Sequence, residues 1–148
     1  MEWQVGDTDT LNVEVSETLV GKFQAAVLDF SHLPDQSDRV LEQVFGGRVV
    51  HGVIPMSFVS SLLGNQIPGP GGILLGQSFR FTAPVFVGDV ITASATIRDI
   101  RADKPVIALD TECRNQKGEK VLEGDAHVLF RPVGQGDGGS SPGKDGVR

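Results

Sequence analysis

Residues Gly46 to Asp89 read GGRVVHGVIPMSFVSSLLGNQIPGPGGILLGQSFRFTAPVFVGD. A glycine-rich approach leads into His51-Gly52. An apolar run follows, then two Pro-Gly steps, a strand-like segment and a loop ending Val87-Gly88-Asp89. Val53, Ile54, Met56, Phe58, Val59, Leu62 and Leu63 leave almost no polar side on a helix, so the helix is expected to be buried. It is expected to start near His51 or Gly52. Pro55 then falls in the first turn, where a missing N–H costs least, and Gly64 suits a C′ stop. A backbone amide at the mouth of such a helix can hold a developing oxyanion, because the first N–H groups lack intrahelical partners and the helix field favours negative charge there.

Downstream the period changes from helical to two. Ile73–Phe81 and Val90–Ile97 read as strands, Val106–Cys113 as a less regular one. After the turn NQKGEK, Val121–Phe130 sets Glu123, Asp125 and His127 against Leu122, Ala126, Val128 and Phe130. One apolar face per strand predicts an antiparallel sheet covering something on one side. The central helix is the obvious thing to cover, which makes the architecture α+β, with the sheet wrapped around one buried helix. Upstream, Leu11–Val15 alternates as a short strand. Ser16 or Thr18 suits a helix cap, and Leu19, Phe23, Ala26 and Val27 recur at helical spacing. Asp29–Ser37 reads as a loop broken by Pro34, with a short helix over Asp38–Gln43.

The 148 residues and 39% apolar content suit one domain around one core. We place it at residues 1–132, followed by a disordered Gly/Ser/Pro-rich tail over 133–148. A net charge of −6 weighs against nucleic acid as a partner. No apolar run approaches the ~20 residues of a membrane span, and the acidic start MEWQVGDTDT lacks a signal-peptide layout. Cys113 is the single cysteine, so no internal disulfide can form; a cytoplasmic, reducing setting is expected. It reads as a packed residue, and His127 as a solvent-facing one. The three histidines and one cysteine have no metal-ligand spacing, and no metal is expected.

RVVHG, the helix ending SSLLG and the string IPGPGGILLGQSFRFTAPVFVGD together resemble the MaoC-like hydratase family, which includes (R)-specific enoyl-CoA hydratases and 3-hydroxyacyl-thioester dehydratases. The resemblance implies a hot-dog fold, a homodimer and reversible hydration of an enoyl thioester. It implies no cofactor beyond the coenzyme A or carrier-protein phosphopantetheine that is part of the substrate. Gly52 matches the family's oxyanion glycine, and Ser60 a helix serine near the active site. Counting back without gaps from His51, Asp29 falls on the catalytic Asp of the family segment D-x-N-P-x-H. Ser31 then stands for the Asn, His32 for the Pro and Pro34 for the catalytic His. A prolyl ring cannot take a proton. Three readings stay open: His32 replaces the lost imidazole; Asp29 alone serves as base in a cyclisation, intramolecular addition or isomerisation; or the chain binds thioesters, or serves as a structural subunit, without chemistry. His51 is expected to anchor the turn that presents Gly52 and to lie beside substrate. Phe58, with Phe79, Phe81 and Phe86, is a candidate for the acyl pocket. Arg48, Arg80, Arg98 and Lys104 are candidates for the mouth that holds the carrier.

Overall fold

A computed structural model describes residues 2–28, 43–44 and 46–132. Its elements are β1 (Thr8–Glu14), α1 (Glu17–Ala26), α2 (Val53–Asn65), β2 (Gly72–Phe81), β3 (Val90–Ile100), β4 (Val106–Arg114) and β5 (Lys120–Phe130). The expected loop from Asp29, the expected short helix as far as Glu42, and the 133–148 tail lie outside the described residues.

The five strands form one antiparallel sheet in the order β1-β3-β4-β5-β2. Alternation fixes which face is apolar, because a one-residue slip would turn every side chain over. Ile91, Ala93, Ala95 and Ile97 of β3 point inward, as do Ile107, Leu109, Thr111 and Cys113 of β4. On β5 the inward row is Leu122, Gly124, Ala126 and Val128. Helix α2 packs on this face, chiefly over β3, and gives Ile54, Phe58, Val59, Leu62 and Leu63 to the core. This is the hot-dog arrangement that the sequence led us to expect.

Three local expectations change. Helix α2 is not covered all round: Val53, Ser60, Ser61, Gly64 and Asn65 form an exposed stripe, with Val53 51% exposed. Gly64 does not stop the helix, which runs through it to Asn65; the turn to β2 instead uses Gly69 and Gly71 at positive φ. On α1 the buried residue is Val20, flanked by half-buried Leu19 and Phe23, while Ala26 and Val27 are exposed. Apolar spacing marks a helix face but not how far along it the core extends. Ser16 does cap α1, its Oγ accepting from the Leu19 N–H at 3.1 Å.

Candidate active site

The two ends of the Gly46–Asp89 stretch meet. Val50 N–H donates to the Val85 carbonyl at 2.8 Å, Val87 N–H to the Arg48 carbonyl at 2.9 Å, and Val49 bridges Phe86. A short antiparallel strip therefore delivers the chain to Gly52. The strip is tied down by Asp89, which is buried and accepts from the Phe86 N–H at 2.9 Å and from Gln116 Nε2 at 3.0 Å. The Val15 N–H donates to the Asp89 carbonyl, and Gly88 N–H to the Val15 carbonyl, which joins the strip to the end of β1.

Gly52 is the N-cap of α2, with φ −58 and ψ −25. The Ile54 N–H bonds the His51 carbonyl and the Met56 N–H bonds the Gly52 carbonyl. Neither Gly52 nor Val53 donates its N–H to another described residue. Pro55, third in the helix, has no N–H to offer and is buried. The helix thus opens with free donors aimed along its own field.

Gly52 lines a cleft of about 480 Å³ together with Val50, Pro55, Phe81, Pro84 and Val85. None of its described lining residues is ionisable. Such a wall raises the worth of any hydrogen bond made inside it, and its described residues supply no acid or base.

The backbone angles of Gly52 suit any residue, so they do not explain the glycine. Its neighbour does: a Cβ built on residue 52 would lie 2.7 Å from Cε1 and Cζ of Phe81. The Phe81 ring occupies the space a side chain would need. The ring is itself 50% exposed and lines the cleft.

Residues 32–116 match the family described as MaoC like domain. This chain belongs to that family. The (R)-specific enoyl-CoA hydratase of Aeromonas caviae is 38% identical to this MaoC-like protein, over 84% of this chain and 93% of that one. The (R)-specific enoyl-CoA hydratase of Rhodospirillum rubrum is 33% identical, over 84% of this chain and 85% of its own length. Among solved structures, the A. caviae (R)-hydratase involved in PHA biosynthesis superposes with a TM-score of 0.80 at 36% identity, covering 87% of this chain and 98% of that chain. These relatives are hydro-lyases with the hot-dog fold.

The other expected site residues of the MaoC-like chain are placed unevenly. His51 is half-buried beside Gly52. Ser60 is exposed on α2, about 12 Å further along the helix at 1.5 Å per residue. Phe58 is buried in the core and does not line the cleft, and Phe79 packs against the core from β2. Asp29, Ser31 and His32 lie outside the described residues. The last described residue before them, Leu28, follows α1 in the left-handed region at φ 54, a conformation that costs a branched L-residue roughly 1–2 kcal/mol. Arg80 and Arg98 are on the far face of the sheet, paired with Glu123 and with Asp110 and Asp125. They do not reach the cleft. Arg48 pairs with Glu17 at 3.3 Å, next to cleft residue Val49. Cys113 is buried under the start of α2, its Sγ 3.7 Å from the Pro55 carbonyl oxygen. Burial pushes its pKa up to about 12, so it is a packed thiol.

Sequence reading gave Phe81 no more weight than three other phenylalanines. The available signal was its place two residues after Phe79, on the inward row of β2, at the strand end that pairs with Leu122. Nothing in the sequence paired it with Gly52.

Proposed function

We propose that this protein hydrates a trans-2-enoyl thioester reversibly. The observation that carries the reading is the Gly52 amide at the head of α2, which no described residue accepts from, beside a cleft whose described lining is uncharged, in a chain of this family. The thioester carbonyl accepts from the Gly52 N–H. The hydroxyl of water bonds C3, a proton bonds C2, and the C2–C3 double bond is lost. Between these events negative charge sits on the carbonyl oxygen, where the amide and the helix field stabilise it without reorganising. Asp29 takes the proton from water and His32 takes the part of the missing imidazole, with Ser31 and Ser60 on the substrate side. The relatives' printed names support coenzyme A as the carrier.

One observation favours a second reading. Pro34 stands where the family segment has its His, so Asp29 alone would serve as base, in an isomerisation or an intramolecular addition. A second copy of the chain is proposed along the open edge of β2, where Ile73, Leu74 and Leu75 are exposed; a monomer in sedimentation would remove that pairing.

The test is loss of the conjugated enoyl-thioester absorbance with crotonyl-CoA. Wild type is expected to turn it over, and Asp29→Asn to lose ~10²–10⁴-fold in kcat. A comparable loss in His32→Ala assigns the second group, whereas a silent His32→Ala leaves Asp29 alone. No turnover above background would sink the hydratase reading.

A further inference from the structure

We infer that Phe81 is the specificity-determining wall of the cleft, the residue that limits substitution at the α-carbon of the thioester. The inference rests on the proposed placement of the thioester carbonyl at Gly52.

The geometry has two parts. In a helix both the N–H and the Cα–Cβ bond of a residue lean toward the N-terminus. The ring that fills the Cβ position of Gly52 therefore lies beside the direction in which the Gly52 N–H points. An oxygen accepting from that N–H at about 2.9 Å has the ring alongside it. The far edge of the ring, Cε1, Cζ and Cε2, is against Gly52, and the ring is half-exposed where it lines the cleft.

A thioester carbonyl carbon carries two arms. The sulfur arm always begins with the same methylene of the pantetheine unit. The α-carbon is the arm whose bulk differs between substrates. A wall beside the carbonyl therefore selects on α-substitution. The backbone reinforces the wall: Phe81 is the last residue of β2, and the next N–H, of Thr82, is held by the Val121 carbonyl at 3.0 Å. The ring can turn about its own bonds, but its anchoring point is fixed.

A side chain at residue 52 requires the Phe81 ring to shift, so the two positions are coupled. Gly52→Ala pushes the ring away from its seat, and Phe81→Ala leaves room for the added methyl. The double variant should recover much of what Gly52→Ala loses.

The experiment compares crotonyl-CoA with 2-methylcrotonyl-CoA in wild type, Phe81→Ala and Phe81→Leu. The readout is the ratio of the two kcat/KM values. Binding of the unreactive butanoyl-CoA and 2-methylbutanoyl-CoA is measured by calorimetry on the same proteins. Wild type should disfavour the methylated member in both assays. Phe81→Ala should shift both ratios toward it by ~10-fold or more, the scale of one methyl group in an apolar pocket, with Phe81→Leu between the two. An unchanged ratio in a folded, active Phe81→Ala overturns the inference and leaves the hydratase reading standing. Absent turnover in wild type with normal binding ratios overturns only the hydratase reading. If neither thioester pair is bound or turned over by wild type, both fall.

Discussion

The two faces of the sheet differ in what their concavities hold. The outer face carries the larger one, about 640 Å³, lined by Arg80, Arg98, Lys120, Asp110, Glu123 and Asp125 among others. Those charges answer one another: Arg98 bonds Asp110 at 2.8 Å, Lys120 bonds Glu123 at 3.0 Å, and Arg80 pairs with the same Glu123. The Lys120 and Arg80 bonds hold the Glu123 carboxyl below its ordinary range, and the Ser78 hydroxyl does the same for Asp125. The inner cleft is smaller and its described lining has no charge, but it includes Gly52, whose N–H no described residue accepts. Charge density alone therefore singles out the outer face, where the charges are already paired. A candidate binding site is marked by polar groups left wanting a partner, and at the head of α2 those are amides.

The most damaging way to probe the inner face is to delete the Gly52 donor. Its φ of −58 matches proline, so Gly52→Pro removes the N–H with little demand on φ at that residue. Both Gly52→Pro and Gly52→Ala add a Cβ against Phe81, so their difference reads the loss of the donor together with the ring methylene that replaces it. Gly52→Pro should fall below Gly52→Ala by ~10²–10³-fold in kcat, the scale of losing one oxyanion donor. Equal rates in the two variants would show that the amide does not hold the oxyanion.

That site was legible in the sequence only in part. Gly52 was readable because a His-Gly pair stood just before an all-apolar helix, and a helix start has local rules. The sheet was readable because inward and outward residues alternate on β3 and β5. Phe81 was not readable as its partner, because the contact joins a strand end to a helix start and has no local spacing. The ion pairs of Arg80 and Arg98 were hidden for the same reason: each depends on strand register, which the pattern of one strand does not show. Helix α2 misled in the opposite sense. Its exposed stripe of Val53, Ser60 and Gly64 contains no charge, so composition alone read it as core.

A smaller and slower contrast lies in how the faces respond to pH. Cys113 on the inner face has its pKa raised to about 12 from an ordinary 9.0 by burial. The folded state therefore keeps a proton that the unfolded chain releases. The contribution is whole below pH ~9 and is lost as pH rises toward 12. On the outer face the lowered carboxyls of Glu123 and Asp125 act in reverse, adding stability above the ordinary carboxylate range and losing it as pH falls through their folded values. Denaturant midpoints of wild type and Cys113→Ala should converge as pH climbs from 9 to 12, since only wild type has that thiol to ionise on unfolding. Parallel curves over that range would mean that Cys113 is not held protonated by its burial.

The mildest expected effect tests the outer face itself. Arg98 is 44% exposed at its side chain and Arg80 76%, so solvent screens their pairs and each should be worth under ~1 kcal/mol. Arg80→Ala and Arg98→Ala should each leave kcat/KM for crotonyl-CoA within about twofold, because neither side chain reaches the Gly52 cleft and an exposed pair's loss stays on its own face. A several-fold rise in KM with kcat unchanged would signal lost uniform binding. It would mean that these arginines hold the phosphates of the carrier and that the two faces cooperate on one ligand. Such a result would also require the carrier to cross the sheet edge at β2, which the exposed Ile73, Leu74 and Leu75 make the next place to substitute.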